Sequence, residues 1–287
     1  LCMATPEKVA EQFNVDVRTG VHVAGIEAAN KRVLLPDAHL DYSKLVLALG
    51  AETWTPPLEG DAVGEGFSVN DLMDYGKFRA AVDGKTTVTI LGGGLIGCEF
   101  ANDLSNGGFQ VSLVEPMGRC LPLLLPEQAS EAVGRGLADL GVQFHFGPLA
   151  KAVHHGDNGQ LVTELSDGSK LESDVVLSAI GLRPRISMAK EAGLDTNRGI
   201  LTDKTLRTSA DDIYALGDCA EVQGHVLPYV LPLMASARAL AKTLAGDTTE
   251  VSYGVMPVTI KTPACPVVVC PAAEGSEGDW EVEADGN

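Results

Sequence analysis

The chain has 287 residues and carries 39 acidic side chains against 21 Lys and Arg, a formal charge of −18. At roughly 100–200 residues per domain, this length allows two domains and part of a third. A composition 45% hydrophobic and 21% charged excludes a disordered chain, no apolar run of about 18 residues is present to span a membrane, and the acidic balance argues against nucleic acid or an anionic membrane as main partner.

The elements follow in chain order. Val15–Val17 and Val21–Ile26 alternate as short strands, and Val33–Leu35 completes a small meander. Leu45-Val46-Leu47-Ala48-Leu49 reads as a buried strand entering a turn at Gly50-Ala51. Thr55-Pro56-Pro57 marks a domain crossover, and Asn70 is placed to cap a helix from Asp71 to about Val82. Thr87–Leu91 is a strand, Gly92–Gly97 a glycine loop, and Leu95–Ser105 a helix. Gln110–Val114 is a strand, Pro126 opens a helix running to Leu140, and Val142–Phe146 is the next strand. A meander of Ala150–His154, Leu161–Leu165 and Lys170-Leu171 precedes a buried strand at Asp174–Ile180. Residues from about 85 to 182 therefore read as one βαβαβ nucleotide-binding unit. Gly199–Gly246 holds two short strands and a helix from about Leu233 to Ala245. Pro257–Lys261, Val267–Cys270 and Trp280–Glu283 read as strands of a further sheet.

The strongest motif is Gly92-Gly93-Gly94-Leu95-Ile96-Gly97, a G-x-G-x-x-G between a strand and a helix. Gly92 allows the tight turn, Gly94 lets the backbone approach a pyrophosphate, and Gly97 lets the helix pack on the sheet. The helix N-terminus, with Leu95 and Ile96, favours the anion. The next strand ends at Glu115, 23 residues beyond Gly92, where a carboxylate accepts from the ribose hydroxyls and repels a 2′-phosphate. That points to NADH over NADPH, a preference that Arg119 is placed to soften. The plainer alternative is the glycine loop of another α/β fold. A second motif, Tyr214-Ala215-Leu216-Gly217-Asp218, ends a short strand in Gly-Asp, which on its own is also a common turn.

Val46–Ala51, the glycine unit, Ile180-Gly181-Leu182-Arg183-Pro184 and Tyr214–Asp218 occur in that order. The arrangement resembles the two-dinucleotide flavoprotein reductases of the pyridine nucleotide–disulfide oxidoreductase superfamily, over nearly the whole chain. Leu95–Leu104, Gly217-Asp218-Cys219-Ala220-Glu221 and Lys261-Thr262-Pro263-Ala264-Cys265-Pro266 are more narrowly similar to bacterial rubredoxin reductases. The resemblance implies a three-layer, Rossmann-like α/β fold with the start of a C-terminal α+β interface domain. It implies FAD and NADH as cofactors, with hydride passing from NADH to flavin and single electrons then passing to rubredoxin. It places Val23, Ala48, Gly50, Glu99, Gly217, Asp218, Val230 and Lys261 at FAD. It places Gly92, Gly94, Leu95, Ile96, Gly97, Glu115 and Gly181 at NAD. Glu99 would lie near both flavin and nicotinamide, with no acid or base catalyst required. The plainer readings are a solvated helix position for Glu99 and an edge-strand lysine for Lys261.

Within that resemblance, the expected domains are 1–82 (partial FAD-binding), 83–198 (NAD(H)-binding), 199–250 (second part of the FAD-binding domain) and 251–287 (start of the interface domain). The family's first strand–GxGxxG–helix unit and its Lys-Pro segment have no match here. The sequence thus reads as a chain cut at both ends that would hold FAD poorly by itself. A ferredoxin reductase or NADH oxidase of the same fold, or a non-catalytic NAD-binding fragment, remain alternatives. The −18 charge does not favour steering an acidic acceptor such as rubredoxin. Six cysteines without a C-x-x-C suggest the reducing cytoplasm. Cys265 and Cys270 read as strand residues facing opposite sides rather than as a redox pair. His154 and His155 likewise read as facing opposite ways, with no third ligand for a metal.

Overall fold

The computed structural model describes residues 4–270 together with Gly278, Glu281 and Glu283. The strand expected at Trp280–Glu283 rests on Trp280 and Val282, which lie outside the described residues. The chain forms two compact units, one of residues 1–50 and 184–252, the other of residues 51–183 and 253–287.

The first unit begins with α1 (Pro6–Phe13), β1 (Gly25–Glu27), β2 (Arg32–Leu34), β3 (His39–Asp41) and β4 (Leu45–Leu47). The chain then builds the second unit: β5 (Ala51–Thr53), β6 (Phe67–Ser68), α2 (Leu72–Ala81), β7 (Thr87–Leu91), α3 (Leu95–Asn106), β8 (Gln110–Glu115), α4 (Glu127–Asp139) and β9 (Gln143–Phe146). It continues with β10 (Ala150–His155), β11 (Leu161–Leu165), β12 (Lys170–Ser173), β13 (Val175–Ser178) and β14 (Leu182–Pro184). α5 (Ser187–Glu191), β15 (Ile200–Thr202), β16 (Ile213–Ala215), β17 (Ala220–Val222) and α6 (Val230–Leu244) follow, and β18 (Val258–Ile260) and β19 (Val267–Val269) form the last hairpin.

The second unit is organised by a five-stranded parallel sheet in the order β6-β13-β7-β8-β9. Its central strands are almost continuously apolar, as strands covered on both faces must be. Val88, Ile90 and Leu91 of β7 and Val175–Leu177 of β13 are all buried. α3 joins β7 to β8 and α4 joins β8 to β9, as parallel strands require. In the antiparallel meander β10-β11-β12 the middle strand alternates in burial, and the inner face packs Val153, Leu161 and Leu165 against Leu91, Val114 and Val176. Phe78 of α2 stands edge-on to Phe67 and Phe100, with ring centroids 6.1 and 5.5 Å apart, and ties α2 to the sheet and to α3.

In the first unit, β1-β2-β3 is an antiparallel sheet, β4 pairs in parallel with β16, and β15 with β17. Three local expectations differ. Residues 14–24 form no strand: Val15, Val17 and Val21 are exposed, and pairing begins only at Gly25. Alternation without a partner strand does not make a sheet. Helix α1 was not foreseen although Pro6, Val9, Ala10 and Phe13 recur at helical spacing; none of its residues is buried. Its start is nonetheless written in Thr5, which accepts from the Lys8 amide at 3.3 Å, and in Pro6 at the first helical position. Helix α6 starts at Val230, with Pro232 inside its first turn, where no amide donor is needed. At α2 the cap is Asp71, whose carboxylate accepts from the Met73 and Asp74 amides at 2.8 Å. Asn70 instead donates to the Ala51 carbonyl at 2.9 Å.

Asp174 pins the start of β7 to the entry of β13. Its Oδ2 accepts from the Thr86 and Thr87 amides, each at 3.0 Å, and from the Thr87 hydroxyl at 2.8 Å. These donors, led by the Thr86 amide, hold the carboxyl below its ordinary range. A folded-state value below the unfolded one means the contribution is complete above the unfolded pKa of ~3.9 and is lost as pH falls through the lower folded value. Asp174→Ala is expected to cost about 1–3 kcal/mol in chemical denaturation at neutral pH, with the difference from the unaltered protein shrinking in strong acid.

Candidate functional site

The glycine loop is dictated by how closely α3 crosses the end of β7. Gly92 has φ 104°, and its amide donates to the Val114 carbonyl at 2.8 Å. A Cβ at Gly92 would lie 2.6 Å from the Ala179 carbonyl oxygen, and one at Gly97 would run into the Gly92 carbonyl. Any side chain at Gly97 would therefore lift the helix off the strand. Gly94 is different. It is the N-cap of α3, no side chain caps the helix, and a Cβ there would meet nothing within 4 Å. The Cys98 amide makes a helical bond back to Gly94 at 3.0 Å, leaving the first-turn amides without an intrahelical acceptor. An open backbone face with spare donors at a helix N-terminus fits a diphosphate.

Glu115 ends β8 against this loop and is 6% exposed. Its Oε2 accepts from the Gly93 amide and its Oε1 from the Met117 amide, both at 2.8 Å. Each oxygen keeps a second lone pair for a ligand hydroxyl. A Cβ at Gly93 would stand 2.9 Å from the Glu115 Cβ, so the position that the motif leaves unspecified is constrained as well. Nearby, Arg119 donates to the Pro122 carbonyl at 3.4 Å, and its Nε is buried without a hydrogen-bond partner. Cys98 and Cys120 are buried beneath the loop. A hydrogen bond with the Cys120 thiol, together with burial, pushes the Cys98 thiol far up, which keeps it inert. Gly181, with φ 113°, follows β13, and its carbonyl accepts from the Trp54 amide at 3.1 Å.

One turn further along α3, Glu99 meets the C-terminal segment. Its Oε1 accepts from the Lys261 amide at 2.9 Å. Two residues singled out from distant parts of the sequence are thus joined in the second unit. Asn102, which motif reasoning passed over, accepts from the Ala264 amide at 3.1 Å through Oδ1. A polar side chain at helical spacing from Glu99 was the available signal.

In the first unit Ala48, Gly50, Gly217 and Asp218 follow the ends of the paired strands β4 and β16. Gly50 (φ 69°) lies just beyond β4 and the exposed Ala48. Gly217 (φ 76°) begins a short 3-10 turn carrying Asp218. The Asp218 carboxylate makes no hydrogen bond or ion pair among the described residues. Cys219 is buried beneath it, its thiol directed to the Leu47 carbonyl at 3.6 Å. The N-terminus of α6 has no side-chain cap at Tyr229, and Val230 is 70% exposed. Val23 is half-buried just before β1. An unpartnered carboxylate, two glycines with left-handed backbone and an uncapped helix N-terminus suit a ligand bearing hydroxyls and electron-rich oxygens. Glu221, not foreseen from the sequence, is buried and accepts from the Gly199 amide at 2.9 Å and Asn197 at 3.1 Å; it braces the β15–β17 pair.

Neither His154 nor His155 belongs to this chemistry. The two rings do not part as strand alternation suggests, since both Nδ1 atoms lie 3.4 Å from the Asp61 carboxylate. Among the described residues no group of three His, Cys, Asp or Glu could hold a metal ion. Also among them, no helix is long and apolar enough to cross a membrane, and Cys98, Cys120, Cys219, Cys265 and Cys270 are free thiols.

Residues 3–241 match the family model described as pyridine nucleotide-disulphide oxidoreductase, and residues 250–287 match one described as rubredoxin binding C-terminal domain. The rubredoxin-NAD(+) reductase of Alcanivorax borkumensis is 94% identical over all 287 residues, which span 75% of its length. That of Acinetobacter baylyi is 43% identical over 284 residues, covering 96% of this chain and 72% of the relative. Among solved structures, a ferredoxin reductase from Rhodopseudomonas palustris matches with TM-score 0.83 and 27% identity over 90% of this chain. The covalent putidaredoxin reductase–putidaredoxin complex matches with TM-score 0.84 and 25% identity over 91% of it. The chain spans 65% of the length of each of those two solved chains. With one family model matched across residues 3–241, the glycine cradle of α3 and the Gly-Asp turn after β16 take their place in a known enzyme class: the chain belongs to the pyridine nucleotide-disulphide oxidoreductase family.

Proposed function

We propose that this protein is an FAD-dependent reductase that takes electrons from NADH and delivers them to rubredoxin. The observation that carries the reading is helix α3. Its N-terminus is an open cradle beside a buried acid, and its next turn, through Glu99, holds the segment bearing Lys261. The names of the two rubredoxin-NAD(+) reductases, and the rubredoxin-binding model matched by residues 250–287, support the choice of acceptor. When bound, NADH supplies a hydride, and FAD takes electrons in pairs and gives them up singly.

The chain's own residues do the positioning. Gly92, Gly94 and Gly97 with the Leu95 and Ile96 amides receive the dinucleotide diphosphate, and Gly181, where a Cβ would meet nothing within 4 Å, is assigned to NAD with them. Glu115 is aimed by the Gly93 and Met117 amides and accepts from the adenosine ribose. Its buried negative charge disfavours a 2′-phosphate, which sets the preference for NADH. Val23, Ala48, Gly50, Gly217, Asp218 and Val230 are assigned to FAD, with Asp218 accepting from a ligand hydroxyl. The α6 N-terminus favours negative charge on the ligand facing it. Glu99 and Lys261 of the second unit are assigned to the same cofactor, Lys261 contributing positive charge. No side chain need move a proton in the hydride step. Free thiols throughout the described residues agree with a reducing compartment, and we place the protein in the cytoplasm.

Anaerobic reduction of the FAD-loaded full-length protein by NADH, followed by mixing with rubredoxin or ferredoxin, tests the reading. Rubredoxin should be reduced the faster, and preferential turnover with ferredoxin would reject it as the acceptor. Glu115→Ala should weaken NADH use by about 1–3 kcal/mol and narrow the gap between NADH and NADPH in kcat/KM. An unchanged ratio of the two would remove Glu115 from the ribose site. Asp218→Ala should lower the flavin bound per chain, and full occupancy after the change would show that Asp218 is not a ligand.

A further inference from the structure

Asn102 and Gly136 are both poor choices for the helices that contain them. Asn is a weak helix former, and Gly inside a helix costs about 1 kcal/mol relative to Ala. Both positions face the same short loop, Lys261–Cys265. Asn102 has no exposed surface, so its amide group must be hydrogen-bonded within the protein. Its Oδ1 accepts from the Ala264 amide at 3.1 Å, and its Nδ2 donates to Asp103 at 3.3 Å. On α4, a Cβ at Gly136 would come within 2.9 Å of the Ala264 carbonyl oxygen and 3.0 Å of the Cys265 Cβ. The loop is braced internally as well. The Thr262 hydroxyl donates to the Cys265 carbonyl at 2.8 Å, the Cys265 amide donates to the Thr262 carbonyl at 2.9 Å, and Thr262 is 1% exposed. Glu99 holds the other end of the loop through the Lys261 amide at 2.9 Å. Residues 99 and 102 are three apart on α3 and so share one face of it.

We propose that Asn102 is a positioning residue: with Glu99 it clamps the Lys261–Cys265 loop to α3, so that Lys261 is fixed relative to the dinucleotide cradle at the N-terminus of the same helix. The inference rests on the assignment of Lys261 to the flavin. Because the loop is internally hydrogen-bonded, releasing its Ala264 end also frees the Lys261 end to move. The clearance at Gly136 lets the loop sit close enough for both side chains of α3 to reach it. The consequence falls on the orientation of Lys261, and the affinity of the glycine loop for dinucleotide is left largely intact.

The test uses the FAD-loaded full-length protein with Asn102→Ala and, separately, Gly136→Ala, which raises helix propensity and so guards against simple unfolding. Hydrogen exchange of the peptide spanning residues 258–266 reads the clamp without reference to activity. Stopped-flow flavin reduction across a series of NADH concentrations separates the limiting rate from NADH affinity. Exchange should rise roughly tenfold in both variants. The limiting rate should fall about fivefold or more, while the NADH Kd changes by less than about twofold. Unchanged exchange in both variants would overturn the clamp. Faster exchange with an unchanged limiting rate would reduce it to a structural contact and overturn the positioning role. Lys261→Met distinguishes the two failures. If it leaves the limiting rate unaltered, the assignment of Lys261 is wrong and the inference falls with it. If it slows reduction while the Asn102 and Gly136 variants do not, only the inference is wrong.

Discussion

The second unit depends on the crossing of α3 over the end of β7 at backbone distance. Gly97 lies so near the Gly92 carbonyl that no Cβ can be inserted, and Gly92 lies against the Ala179 carbonyl in the same way. This close approach fixes where the helix starts and which way its N-terminus points. It also brings Gly93 against Glu115, so the carboxylate proposed for the ribose is itself hydrogen-bonded into the loop. Had the helix been held a few ångströms further away by ordinary side chains, the Glu115–Gly93 bond could not form and the cradle would lose its acid.

The same helix carries the arrangement into the C-terminal segment. Its first turn presents the open glycine cradle proposed for the dinucleotide, whereas Glu99 and Asn102, on the turns that follow, engage Lys261 and Ala264. The 12 residues of α3 thus join the glycine cradle to the Lys261–Cys265 loop. The first unit supplies a different kind of surface, in which, among the described residues, the Asp218 carboxylate makes no hydrogen bond or ion pair and no side chain caps the N-terminus of α6.

The nucleotide-binding region was legible because its constraints are local. A strand, three glycines, a helix and an acid after the next strand follow one another within Thr87–Glu115, and each has a direct physical reason. Buried parallel strands such as β7 and β13 stand out as apolar runs. The features that escaped prediction depend on partners distant in sequence or on none. Val15 and Val17 alternate but have no strand to pair with. Helix α1 carries Pro6, Val9, Ala10 and Phe13 on one face but buries none of them, and eight residues give a short signal. Asn102 gains its meaning from Ala264, 162 positions away, and Gly136 from the same loop. Glu99 and Lys261 were picked out by resemblance, and only the fold shows that they touch.

The central claim is that α3 couples the dinucleotide cradle to the Lys261 loop. Hydrogen exchange of the FAD-loaded full-length protein, compared with and without saturating NAD+, examines that coupling directly. Protection is predicted in two places, at Gly93–Gly97 with Glu115–Met117 and, through α3, at Lys261–Cys265. Protection at the glycine loop with no change at Lys261–Cys265 would contradict the coupling, and no protection at the glycine loop would contradict the site itself.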